Sequence, residues 1–361
     1  MVCFCLVAGS VFAQDTLKIG VAGPYSGDLA SYGIPTANAV KLVAKKINAK
    51  GGVLGKKVEV IAVDDQCKPE LATNVATKLV SEGVVGVIGH ICSGATKAAL
   101  PIYKDARLVV ISSASTNPAL TESGEYPNFF RTIAPDDAQA RLDVDFVLNR
   151  LHAKKIAIIH DKGDYGKGLA MMEKKFIEES GKAKVILFEG VTPGAIDYSA
   201  VVQKIKRNRP DVVMFGGYHP EAAKIVTTMR RKRLKVPFIA GDGVRDVSFI
   251  KVAGRYAEGV YASGPRDVSS NPEYKEALAE YQKAFHGKPG PFFENGYAAA
   301  EALLNAIEQS KSTKYEDIVK ALRTKYVSTP LGKIKFDSKG DAEGVGFSVY
   351  QVRGGKFVEV K

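Results

Sequence analysis

Apolar positions along the chain follow two alternating rhythms. Short continuous runs at Lys18–Ile19–Gly20–Val21–Ala22, Val58–Val63, Val84–Ile88 and Leu108–Ile111 read as buried strands. Between them apolar residues recur at helical spacing, as at Val40, Val43, Ala44 and Ile47, where Asn48–Gly52 ends the pattern, and again at Leu71, Val75 and Leu79. The scheme restarts with strands at Lys155–Ile159, Val185–Phe188, Val212–Phe215 and Phe238–Ala240. Strands separated by helices predict parallel sheets covered on both faces. Two such series in 361 residues predict an α/β protein of two lobes of similar design.

Beyond Gly264 the pattern changes to two long helices, expected from Pro272 to Phe285 and from Glu294 to Gln309. Short strands are expected at Lys333–Phe336 and Phe347–Tyr350. No low-complexity linker separates the lobes. The chain is therefore expected to cross between them through short segments at Thr132–Pro135, Ser263–Pro265 and Lys339–Gly346.

Residues 1–13 change the picture of where the protein resides. Their apolar run is too short to span a bilayer and ends in Val11–Phe12–Ala13, the pattern of an export signal with Gln14 as the mature start. Cysteine use agrees. Cys3 and Cys5 leave with the leader, and Cys67 and Cys92 remain as an even pair in an oxidising compartment. A bridge between them would contribute roughly 3–4 kcal/mol through loop entropy; the rival reading is a metal site that also uses His90. The formal net charge of +12 rests partly on the runs Lys204–Arg209 and Arg230–Arg233. Both sit at predicted helix ends, where cations oppose the helix dipole. Without interleaved aromatics or a recognisable module they do not predict nucleic-acid binding.

In open parallel sheets, ligands collect beyond the carboxyl ends of the strands. The loops that follow the strands carry Pro24–Gly27 and Tyr32, then Gly89–Thr96, then Ser112–Thr121, read as SSASTNPALT. In the second series they carry Asp161–Tyr165, Gly216–His219 and Gly241–Gly243. Ser93 and Thr96 stand at a helix start and Thr116 lies in the neighbouring loop, small hydroxyl donors that together suit a carboxylate, though each hydroxyl alone reads better as a turn or cap. Asp242 between two glycines either counters an ammonium group or caps the next helix. Tyr32, Tyr165 and Tyr218 supply ring walls for a small ligand. Catalysis fits poorly. Gly166–Lys167–Gly168 lacks the order of a phosphate loop, there is no Gly-x-Ser-x-Gly elbow or HExxH, and His160 and His219 have no nucleophile nearby in sequence.

The segments KIGVAGPYSGDLASYG, VIGHICSGAT, SSASTNPALT, IAIIHDKGDYGKGLA, GGYHPE and GDGV carry a resemblance. So does INAKGGVLGKKVEVIAVDDQCKPELA. Over nearly the whole mature chain the sequence resembles the periplasmic branched-chain amino-acid-binding proteins of ABC transporters, of the type I periplasmic binding family. The resemblance implies lobes formed by residues 14–134 plus 264–343 and by 135–263 plus 344–361, joined by a three-stranded hinge, and a Cys67–Cys92 bridge. It implies that Ser93 and Thr116, with the backbone around Ala114 and Ser115, hold a ligand carboxylate. Asp242, with Tyr218 beside it, would hold the ammonium, Tyr165 would close the site, and Tyr32 and Phe292–Phe293 would meet the side chain. The implied ligand is a free amino acid of the leucine, isoleucine and valine class, or alternatively a polar amino acid or amide. The implied partner is an ABC permease, with a receptor as the alternative. No cofactor, metal or enzymatic activity is expected of this periplasmic monomer. Two positions depart from the aliphatic-specific pattern, Ser115 and Glu294. Either Glu294 points away from the pocket, or the ligand side chain is polar or cationic.

Overall fold

In the computed structural model, residues 16–360 are described; the leader, with Cys3 and Cys5, lies outside them. The first series runs β1 (Thr16–Gly23), α1 (Ala30–Asn48), β2 (Lys57–Asp64), α2 (Pro69–Ser81), β3 (Gly86–Ile88), α3 (Ser93–Asp105), β4 (Val109–Ser112), the turn α4 (Ala119–Glu122) and β5 (Phe129–Arg131). All pairings among its strands are parallel, in the order β2-β1-β3-β4-β5. Side chains alternate across the sheet. Leu17, Ile19 and Val21 join one core, and Val87, Val110 and Phe129 join the other. α2 and α3 cover the second face, and α1 covers the first together with later helices.

The second series runs α5 (Asp136–Asp145), which continues into a π turn at Phe146–Arg150, then β6 (Lys155–His160), α6 (Asp164–Ser180), β7 (Lys184–Gly190), α7 (Ser199–Asn208), β8 (Val212–Gly216), α8 (His219–Arg231), β9 (Phe238–Ala240), α9 (Val247–Ala253) and β10 (Tyr261–Pro265). The chain then returns to the first lobe for α10 (Pro272–Phe285), α11 (Phe293–Ser310), α12 (Tyr315–Thr324) and the ribbon β11 (Val327–Thr329) and β12 (Gly332–Ile334). It ends back in the second sheet as β13 (Phe347–Arg353) and β14 (Lys356–Glu359). The order there is β14-β13-β10-β9-β8-β6-β7.

Several expectations change. The second sheet is mixed, because β13 pairs antiparallel with both β10 and β14. Ser263–Pro265, expected to cross between lobes, are the end of β10, paired with β9 and β13. Phe129–Arg131 form a fifth strand that apolar runs alone did not reveal. The expected strand near Lys333–Phe336 stands outside both large sheets. The basic runs do end helices: Lys206 and Arg207 lie in the last turn of α7, and Arg230 and Arg231 in that of α8. Among the described residues no helix is long and apolar enough to cross a membrane.

Strand order reverses around β1 in one sheet and around β6 in the other, and the loops beyond these points face each other across a cleft. The lobes touch across it. On one rim Ser31 Oγ donates to Asp246 Oδ2 at 2.5 Å. On another, Lys97 Nζ stands 2.9 Å from Asp164 Oδ1, and Asn117 Nδ2 donates to the Asp164 carbonyl at 2.7 Å.

Candidate functional site

The cleft is lined by Tyr32, Ile91, Ser93, Ala114, Phe292 and, from the second lobe, Tyr165, Tyr218, Asp242 and Gly243. Seven of the nine sequence-predicted ligand residues thus line it; Ser115 and Thr116 do not. Each lining group sits where a strand empties into a helix or turn, except Phe292, which precedes α11 in a left-handed conformation. Tyr32, Tyr218 and Phe292 form one wall, with ring centroids 5.9–6.0 Å apart, and Tyr165 extends it at 5.3 Å from Tyr218.

The hydroxyl-rich loop after β4 proves to be mostly internal bracing. Ser112 Oγ donates to the His90 carbonyl at 2.5 Å and accepts the backbone N–H groups of Ala114 and Ser115 at 3.2 and 2.9 Å. Those two amides, expected to face a carboxylate, are therefore taken. Ser113 Oγ pairs with Thr36 Oγ1 at 3.0 Å. Ser115 is turned into the core: its Oγ lies 2.5 Å from Thr96 Oγ1 and 3.1 Å from the carbonyls of His90 and Ile91. A serine at this departure from the family pattern thus ties β3 to β4 without entering the cleft. Thr116 is fully buried, and its Oγ1 is engaged by none of these bracing bonds; it turns to the Asp136 carboxyl, which burial raises and that contact draws down. Next to it is Ser93, whose Oγ accepts the Asn117 N–H at 3.3 Å. Ser93 opens α3 and lines the cleft, so unpaired helix N–H groups and its hydroxyl meet this end, with Thr116 behind them.

A residue that sequence reasoning missed holds this loop. Arg131, fully buried, donates from Nη1 to the carbonyls of Ser115 (3.3 Å) and Asn117 (2.9 Å), from Nη2 to Thr121 Oγ1 (2.6 Å), and from Nε to Asp341 Oδ1 (2.5 Å). The register Ser112↔Arg131 places the guanidinium under the loop. Nothing in the sequence around a lone arginine signals this role.

At the opposite end, Asp242 opens a short 3-10 turn and is buried. It does not cap α9; Asp246 does, accepting the Ser248 N–H at 2.7 Å. Tyr165 Oη donates to Asp242 Oδ1 at 2.6 Å. Gln139, with its amide oriented to satisfy its neighbours, donates to the same oxygen at 3.3 Å and accepts the Asp242 N–H at 2.8 Å. Burial raises the Asp242 carboxyl to about 6, against hydrogen bonds from Tyr165 and Gln139 that lower it. Asp136, Asp143 and Glu173 lie deeper behind it, each pushed well above the carboxylate range first by burial and then by one another or Asp242. Gly241 must lack a side chain, because a Cβ there would stand 2.5 Å from Tyr165 Oη.

Glu294 does not line the cleft. Its carboxyl is raised first by burial and drawn down by Arg245, and it shares surroundings with Asp267, Tyr274 and Tyr350. Cys67 and Cys92 form a disulfide with Cα atoms 5.4 Å apart, which removes the metal reading. His90 is instead paired with Asp65 at 2.6 Å and Tyr103 at 3.1 Å. His160 lies outside the cleft, its Nδ1 accepting the Lys162 N–H, and His219 is engaged by Tyr32.

A two-lobed fold whose strand ends carry oppositely polarised poles across an aromatic cleft defines a class of solute-binding proteins, and the comparisons agree. Residues 16–356 match the profile of the periplasmic binding proteins, and the chain belongs to that family. It is 37% identical over 338 residues to the leucine-specific-binding protein of Salmonella typhimurium, spanning 93% of this chain and 91% of that one. It is 35% identical over 339 residues to the leucine-, isoleucine-, valine-, threonine- and alanine-binding protein of Pseudomonas aeruginosa, spanning 94% and 90%. The branched-chain amino acid transporter substrate-binding protein of Streptococcus pneumoniae, solved with isoleucine, matches with a TM-score of 0.85 at 28% identity, covering 96% of this chain and 100% of that one.

Proposed function

We propose that this protein captures a free aliphatic amino acid, of the leucine, isoleucine and valine class, in the cleft and delivers it to an ABC permease. The observation that carries the reading is the pairing of poles. At one end Ser93 and the start of α3 line the cleft, with the buried Thr116 hydroxyl behind them, and together they supply donors for a carboxylate. The Asp242 carboxyl answers an ammonium at the other. Between them the walls are Tyr32, Ile91, Ala114 and Phe292, with no charged group other than Asp242 in the lining. Glu294 stands outside the lining, within the field of Arg245, which favours an aliphatic side chain over a cationic one. In this reading the mature chain works in the periplasm as a monomer hinged between residues 14–134 plus 264–343 and residues 135–263 plus 344–361; the apolar residues 1–13 and the Cys67–Cys92 bridge support that compartment.

Thr116→Val tests the carboxylate end. It keeps the β-branched shape and deletes one hydroxyl. A hydrogen bond to a charged group contributes roughly 1.5–3 kcal/mol, so affinity is expected to fall about ten- to a hundredfold. The empty protein should melt only slightly below the wild-type temperature, since within the protein this hydroxyl meets the Asp136 carboxyl alone. Calorimetric titration with a panel of amino acids checks both ends of the claim; unchanged affinity would move the carboxylate elsewhere.

Asp242 also predicts a pH dependence. An ammonium seated against it lowers a carboxyl that stands at about 6 in the empty site. Affinity is therefore expected to be full above about pH 6 and to weaken as pH falls through it, by up to about tenfold per unit. Titrations between about pH 5 and 8 should show that slope, and a flat profile would mean that Asp242 does not meet the cation.

A further inference from the structure

Tyr32 belongs to α1 of the first lobe, and its ring is one wall of the cleft. Its hydroxyl crosses the cleft. Oη lies 2.5 Å from the Gly243 carbonyl and 2.6 Å from His219 Nδ1, both on the second lobe. A phenol has one proton, and a carbonyl can only accept it. The Tyr32 proton therefore goes to Gly243, and His219 Nδ1–H donates to Tyr32 Oη. Tyr32 and His219 are almost fully buried, and their rings meet edge-on at 5.4 Å. The Lys97–Asp164 contact across the cleft differs. Lys97 and Asp164 are well exposed, and such surface pairs contribute little.

We propose that His219 is a positioning residue of this site: through the Tyr32 hydroxyl it fastens a wall of the side-chain pocket to the opposite lobe, so that a ligand is retained only if its side chain leaves that wall in place. The proposal rests on the reading of the cleft as an amino-acid site. Both bonds are short and buried, and hydrogen bonds weaken steeply with displacement and misalignment. A compact side chain lets the lobes close with the two bonds formed. A wide one pushes the ring, and the same movement unfastens the lobes. Ligand size is thereby read as the stability of the closed form, and discrimination falls mainly on the release rate. Gly243 must stay a glycine for this arrangement, since a Cβ would meet the Gly217 carbonyl at 2.7 Å and the Tyr165 ring at 2.9 Å.

The test is calorimetric affinity and stopped-flow release for valine, leucine and phenylalanine with the mature chain. His219→Leu deletes the donor. It should weaken valine about tenfold, the conversion of a lost hydrogen bond of about 1.4 kcal/mol, chiefly through faster release. Phenylalanine should change less than about threefold, narrowing the gap between the two ligands. His219→Asn, which keeps an N–H donor, should retain most of the wild-type selectivity. Tyr32→Phe keeps the ring and loses the hydroxyl, so it should reproduce the His219→Leu pattern even if that variant folds poorly. An equal loss for all three ligands would overturn the proposal, making the contact a closure bond blind to size. A lowered melting temperature with unchanged affinities would also overturn it and make His219 an ordinary core histidine. Failure of the wild-type protein to bind any of the three would instead overturn the amino-acid reading, and this inference with it.

Discussion

Asp242→Asn is expected to weaken amino-acid binding by about 2–5 kcal/mol, roughly thirtyfold to several thousandfold, because a ligand ammonium in the closed cleft would lose its counter-charge. Asparagine keeps the shape and still offers Tyr165 Oη an acceptor. The empty protein should respond in the opposite sense. Burial lifts this carboxyl from the usual 3.8 to about 6. Its ionised form therefore costs folding stability, a penalty that begins as pH rises above the unfolded value and is complete above about 6. Near neutral pH the variant should melt at the wild-type temperature or slightly above it. Titration and thermal melts of one preparation separate the two effects. Full affinity in a folded variant would reduce Asp242 to an acceptor for Tyr165.

Arg131→Met should cost about 3–5 kcal/mol of stability, as when one partner of a buried ion pair is removed. Asp341 is left with its charge and little exposure, and the carbonyls of Ser115 and Asn117 lose a donor. The melting temperature should fall by roughly 5–10 °C. Since those carbonyls flank Thr116, affinity should fall too, even in conditions where the variant is folded. Chemical denaturation and titration below the transition check both. A variant as stable as the wild type would show that solvent replaces the guanidinium at no cost.

The contrast between these residues shows what a sequence discloses. The α/β alternation was legible because buried strands write continuous apolar runs, and because ligand groups in such sheets follow strand ends. That rule located Tyr32, Ser93, Tyr165, Tyr218 and Asp242. It could not sort the hydroxyls after β4. Whether Ser115 or Thr116 faces the cleft depends on how Ser112 turns the chain against the His90 carbonyl, a contact between residues 22 apart. β5 was hidden because its apolar run is only Phe129–Phe130 before the charged Arg131, which is buried. β10 was hidden because Ser263–Gly264–Pro265 reads as a turn, although β9 and β13 hold it as strand. Arg131 escaped notice and His219 was weighed only as a base for one reason: each acts through partners distant in sequence, Asp341 and Tyr32.

The weaving of the chain between its two sheets bears on when it can fold. The first lobe lacks half of its cover until α10, α11 and α12 exist, and these follow all of the second lobe's helices. The second sheet in turn leaves β10 as an open edge until β13 arrives from the last fifteen residues of the chain, at Phe347–Lys361. Domains ordinarily fold as units while synthesis proceeds from the N-terminus. Here neither unit is complete until β13 has been made, after every helix of both lobes, so a nascent chain stays unfinished throughout the synthesis of residues 16–346.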